Sequence, residues 1–182
     1  RNANRPANNP PPKKTDMLDW QIKPLAKKSA LSDREIKAGD TVVCAVFVNQ
    51  LGQLDRIDAH KDEFDDSKVE GRVIGKWERV VSEHPEADER AARRMSLESS
   101  EDFFVSLFDT NTAVETDEVD VVKQMLALLL ERKRILRPVG RPSGGFQKYV
   151  QPSTKREFLV PQKNLDEDLV IKIQNQLGSI II

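Results

Sequence analysis

Nine consecutive residues, Thr-Val-Val-Cys-Ala-Val-Phe-Val-Asn at Thr41 to Asn49, constrain this chain more than any other stretch. They are rich in β-branched side chains and carry no polar interruption at helical spacing, so they predict a well-buried strand. Gln50-Leu51-Gly52-Gln53 supplies a glycine turn. Leu54 to Ala59 then returns with Leu54 and Arg56 on one face and Asp55 and Ile57 on the other, as the second arm of a hairpin would. Gly71 to Val81, with Val73, Trp77 and Val80, reads as a strand or a short helix, and we take it as a third strand. Asp19 to Lys23 alternates polar and apolar as a short strand does, and Ala38-Gly39-Asp40 is a turn.

The second half changes period. Residues 85–94 predict a helix with Pro85 in its first turn and Glu86–Arg90 and Glu89–Arg93 pairs four apart. Ser99-Ser100-Glu101-Asp102 has a helix-start pattern, followed by Phe103, Phe104, Leu107 and Phe108 on one face. Asp109 to Thr116 is a polar linker. Thr116 to Leu136 is the strongest helix, with Glu118 and Asp120 near its start and Arg132, Lys133 and Arg134 near its end, complementing the macrodipole. Gly140 to Gly145 reads as a loop. Gln147 to Gln151 and Glu157 to Val160 read as a second hairpin, and Asn164 as the cap of a last helix lined by Leu165, Leu169, Ile173 and Leu177. Gly178 ends that helix, and Ser179 to Ile182 is a greasy end unless packed or paired.

These elements predict an α+β protein: a small N-terminal β-rich unit, then a helical segment and a β-hairpin-helix C-terminal unit. We read residues 1–18 as a disordered or partner-ordered tail, 19–82 as the β-rich module and 83–182 as a mostly helical module with one β-hairpin. Pro10-Pro11-Pro12 gives the tail its extended character. Arg1 stands where an initiating Met would, so a trimmed or processed start is expected.

Composition bounds the function. Aromatics are 5% of the chain, so Leu, Ile and Val must fill most of the core. A net charge of −1, from 29 basic and 30 acidic side chains, argues against a general nucleic-acid coat and requires any electrostatic partner to meet a local patch. Cys44 is the only cysteine, which removes intramolecular disulfides and multi-cysteine zinc sites and fits a reducing, cytoplasmic setting. The longest apolar run, Met125 to Leu130, is far short of the roughly 20 residues that cross a bilayer.

Chemistry-bearing residues are sparse. Asp58, His60 and Asp62 alternate and would share a strand face, so they are the candidate metal trio, although Asp62 to Asp66 equally reads as a solvated hairpin exit. His84 precedes Pro85 as a helix-entry residue. Cys44 sits mid-strand as an inert core thiol. Neither a Gly-x-Ser-x-Gly nor a phosphate-binding glycine loop occurs. We therefore expect no enzyme, cofactor or metal.

Two binding surfaces remain. Arg132, Lys133, Arg134, Arg137, Arg141 and Lys148 form a basic stretch with no acid between Arg132 and Lys148, and Lys155 and Arg156 extend it; Phe146 and Tyr149 offer rings to stack on bases. Phe103, Phe104 and Phe108 give an aromatic face for a protein partner, if they are not core. The leading expectation is a non-catalytic adaptor or accessory subunit docking on a larger intracellular complex, such as a ribonucleoprotein. The alternative is RNA or DNA binding through 132–156.

Several motifs resemble an uncharacterised bacterial protein family, a domain of unknown function. They are Trp20-x-Ile22-Lys23, Gly39-Asp40, Arg56-x-Asp58, Trp77, the helix end Leu126 to Leu136 with Leu-Glu-Arg-Lys-Arg-Ile-Leu, and Thr154-x-x-Glu157-Phe158-Leu159-Val160-Pro161. The resemblance spans most of 19–177. It implies a small cytoplasmic protein with two α/β modules and no assigned activity. Many members carry a cysteine where this chain has Lys28-Ser29-Ala30, so no role for that thiol carries over.

Overall fold

The apolar run Thr41–Asn49 forms β1, the middle strand of an antiparallel sheet of order β2-β1-β3, where six of its residues are buried. A run without polar alternation needs cover on both faces, and Val42, Cys44 and Val46 on one face and Val43, Ala45 and Phe47 on the other are all buried. β2 is Leu54–His60 and β3 is Gly71–Val80. Cys44 stands opposite Asp58 on one side and Trp77 on the other. The β1–β3 register slips at Val46/Phe47. Beyond that irregularity a Cβ on Gly71 would lie 2.3 Å from the Val48 carbonyl oxygen. Backbone cannot yield as a flexible side chain can, so Gly71→Ala is expected to cost about 1–3 kcal/mol, read as a lower urea midpoint at unchanged slope.

The computed structural model describes residues 22–83, 89–109, 116–176 and 180. These form an α+β protein with three helices and two three-stranded antiparallel sheets. The expected tail, the start of the first strand, His84, Pro85, Leu177 and Gly178 lie outside the described residues. Ile22 is buried, and Lys23 N donates to Ile180 O at 2.8 Å; Ile180 is itself buried.

One helix, α1 (Glu89–Ser106), replaces the expected helix to residue 94 and fresh start at Ser99. The serines do not cap. Ser100 Oγ donates to the Ser96 carbonyl at 2.9 Å, one turn back, and Ser99 Oγ accepts from Arg79. A hydroxyl satisfied inside the helix leaves the ladder intact. α1 crosses β3 at Gly75, where a side chain would meet Ser106 and the Phe103 ring.

α2 (Asp117–Arg132) starts at Thr116, whose hydroxyl accepts from Val119 N at 3.3 Å. It buries residues on nearly every side, from Val119 through Leu130, and so is a core helix. It stops four residues before the expected Leu136. Arg134 adopts φ 63°, Ile135 N donates to Leu130 O and Arg134 N to Glu131 O. That pair of bonds is the Schellman ending, which places a residue in the left-handed region just past the cap.

Residues 140–143, expected to belong to a loop, are the second half of a strand. β4 (Arg137–Ser143) pairs with β5 (Phe146–Val150), which pairs with β6 (Glu157–Pro161), giving the order β4-β5-β6. Two prolines and a glycine obscured it. As an edge strand it tolerates Pro138 and Pro142, and its register breaks between Val139 and Ser143, around Gly140. α3 (Glu167–Gln176) is capped by Asp166, not Asn164: Asp166 Oδ1 accepts from Leu169 N at 2.8 Å. A single cluster of buried apolar residues runs from Val42 and Trp77 through α1 and α2 to Tyr149, Phe158 and Ile173.

Candidate nucleic-acid interface

In an antiparallel sheet, residues directly opposite one another share a face. On the inner face Pro138, Tyr149 and Phe158 align, with Gln147 and Val160 beside them. Tyr149 is buried and its hydroxyl donates to Glu131 Oε2 at 3.0 Å, so it cannot stack on a ligand as the sequence suggested. Burial, with the Glu131 bond second, pushes its phenol up.

The outer face holds three rows: Arg137, Val150 and Glu157; Val139, Lys148 and Leu159; Ser143, Phe146 and Pro161. Val139 is 42% exposed, Phe146 45% and Leu159 61%. Half of the large apolar side chains that are exposed among the described residues therefore stand on this one face. Glu157 is the only carboxylate in these three strands, and Lys148 Nζ neutralises it at 2.8 Å.

The basic residues frame that face. The Schellman turn carries Lys133 and Arg134 directly into β4, where Arg137 and Arg141 follow; all are exposed. Arg132 is exposed at the end of α2. Across the sheet, the β5–β6 turn brings Lys155 beside the row of Arg137, whereas Arg156 turns to the inner side. Among the described residues, the side chains of Lys133, Arg134, Arg137, Arg141 and Lys155 make no hydrogen bond or ion pair. Arg156 rests on the Phe158 ring, 5.0 Å from its centroid. Arg134 and Lys155 are both held at positive φ, 63° and 62°. A long side chain there costs what glycine would not.

The aromatic docking face is corrected. Phe103 and Phe104 are fully buried. Phe104 and Phe108 each stack on Phe158 at 5.0 and 5.1 Å, and Phe103 lies 5.5 Å from Trp77. Lys123 Nζ covers the remaining partly buried ring, Phe108, at 4.9 Å. With so few aromatics, the core takes them.

The alternating metal trio divides. Asp58 points inward and is occupied: Arg56 Nε donates to its Oδ1 at 2.8 Å and Ala26 N to its Oδ2 at 2.9 Å. Asp62 lies past the strand end. His60, Asp62 and Glu63 do bring ligand atoms within 4.8 Å of one another. Yet Arg34 holds Asp62 with two bonds of 2.9 and 3.0 Å and approaches Glu63 at 3.8 Å, while His60 Nε2 lies 3.2 Å from Glu35 O. The Arg34 bond holds the Asp62 carboxyl below its usual range. A guanidinium already does there what a cation would do.

A cleft of about 770 Å³ opens between β3, the end of α1 and the β5–β6 turn, lined by Lys76, Glu78, Glu101, Asp102, Phe108 and Arg156 among others. Burial raises the pKa of Asp102, and Arg79 opposes the shift. The cleft's charges are largely engaged: Lys76 with Asp66, Glu78 with Lys61, and Glu101 with Gln151. Its lining includes no histidine, and His60 belongs to the far end of β2. The Cys44 thiol is buried and pushed up, chiefly by that burial. It is no thiolate nucleophile.

Sequence alone located the basic residues but not the platform between them. Val139 and Leu159 became visible only through the cross-strand register. No family model matches this chain, and no curated protein or solved structure matches it.

Proposed function

We propose that this protein is a non-catalytic accessory protein that binds nucleic acid through the cations of 132–156. The carrying observation is the row of exposed side chains Lys133, Arg134, Arg137 and Arg141, without a polar partner among the described residues, beside a sheet face with one neutralised carboxylate. Cations at a helix end are ordinarily dipole partners. That account covers Lys133 and Arg134 but not Arg137, Arg141 or Lys155, which lie on a strand and a hairpin turn. The adaptor reading loses its main support with Phe103 and Phe104 in the core.

The two positive-φ cations give a clean test. Arg134→Gly and Lys155→Gly relieve the left-handed strain, so stability is held or raised by up to about 1 kcal/mol. Affinity for a labelled oligonucleotide falls, and each lost phosphate contact takes about 0.7 from the slope of log K against log salt on a single strand. Melting temperatures and anisotropy titrations on the same preparations separate the two effects. Unchanged affinity in the double variant would remove these residues from the interface.

A further inference from the structure

We propose that the outer face of β4–β5–β6 is a platform for single-stranded nucleic acid, on which Phe146 stacks against a base. This rests on the nucleic-acid reading above and narrows it from nucleic acid in general to one strand with unpaired bases.

The face is chemically divided. Its middle rows expose Val139, Leu159 and the Phe146 ring around a Lys148 whose charge Glu157 neutralises. Its margin on the β4 side is cationic, through Arg134, Arg137 and Arg141. A duplex presents phosphates outward and hides its bases, so it would satisfy the margin and leave the centre facing charge. A single strand presents both parts at once: phosphates for the arginines and π-faces for the centre. The outer strands of the sheet stand about 10 Å apart, room for a ring laid across the middle strand. β4 runs about 23 Å, so its cations can follow a backbone over several nucleotides. Phe146 is held for this purpose by its flanks. Gly144 and Gly145, at φ 60° and 81°, turn the chain sharply, and Phe146 sits opposite Ser143 and Pro161. Neither neighbour is large enough to cover the ring.

Glu157 supplies an internal control. It is the sheet's one carboxylate, and it holds Lys148 in the centre row. Removing its charge frees that ammonium for a phosphate and removes the local repulsion.

The test is fluorescence anisotropy at low salt with a labelled oligouridylate and with an RNA duplex of equal length. The wild-type chain is expected to prefer the single strand. Phe146→Leu keeps an apolar side chain at a half-exposed position, so it folds normally. It is expected to weaken single-strand binding roughly 5-fold or more and to leave duplex binding unchanged. Phe146→Tyr restores the affinity, and Glu157→Gln raises it. Single-strand binding unaffected by Phe146→Leu, or a duplex bound as tightly as the single strand, overturns the platform while leaving nucleic-acid binding standing. Binding of neither probe overturns both, as does a salt-insensitive dimer that buries this face.

Discussion

Asp58→Ala is expected to destabilise the protein by about 3–5 kcal/mol, the largest effect expected of a polar substitution among the described residues. Arg56 and Asp58 are 4% and 5% exposed and sit together on the inner face of the first sheet. Arg56 spends its donors on Asp58 Oδ1 and Oδ2 at 2.8 and 3.1 Å and on the Lys23 carbonyl at 2.8 Å, and it lies 5.7 Å from the Trp77 ring centroid. Asp58 in turn accepts from Ala26 N. The pair therefore ties the segment before β1 to the sheet. Removing the carboxylate strands a buried guanidinium and an orphaned backbone donor. The cost is that of an uncompensated charge, not of one hydrogen bond. Replacing both residues by apolar ones of similar volume should recover much of the loss, since a buried pair is worth little beyond its own desolvation. Urea denaturation of the two single variants and the double variant measures this. A single variant within about 1 kcal/mol of wild type would contradict it.

Phe104→Ala is the second large effect, expected to cost about 3–5 kcal/mol. Its ring is wholly buried and lies 5.0 Å from both Phe108 and Phe158. It therefore links α1 to the inner face of the second sheet. Removing it leaves a cavity at the junction of α1 and the second sheet, where two packed elements cannot readily collapse inward. The contrast with Phe146→Ala is informative: that ring is half exposed, and its loss should change stability by less than about 0.5 kcal/mol. Equal losses from the two would mean that Phe104 is not core. Thermal melts of both variants decide.

The hairpins and the central helix were legible because each rests on a local signal. The β1 run, the Gly52 turn and the apolar block of α2 each state their period without help from the rest of the chain. What was not legible depended on partners remote in sequence. Ser99 looked like a cap because nothing local shows that its hydroxyl faces Arg79, twenty residues earlier. β4 looked like a loop because Pro138, Gly140 and Pro142 are strand breakers everywhere except at an edge. The phenylalanines on α1 were open to two readings until Phe158 and Trp77 were placed against them. Half the candidate interface followed the same pattern. The cations announce themselves by composition, whereas the exposed apolar side chains become one surface only once Val139 and Leu159 are brought to either side of Lys148.

Binding through the 132–156 cations is most directly tested by titrating a labelled single strand with the wild-type chain between roughly 50 and 200 mM salt. Four or five phosphate contacts predict that log K falls linearly with log salt at a slope of about −3. Absence of binding at the lowest salt, or an affinity that stays flat across the series, would contradict the assignment of this surface to nucleic acid.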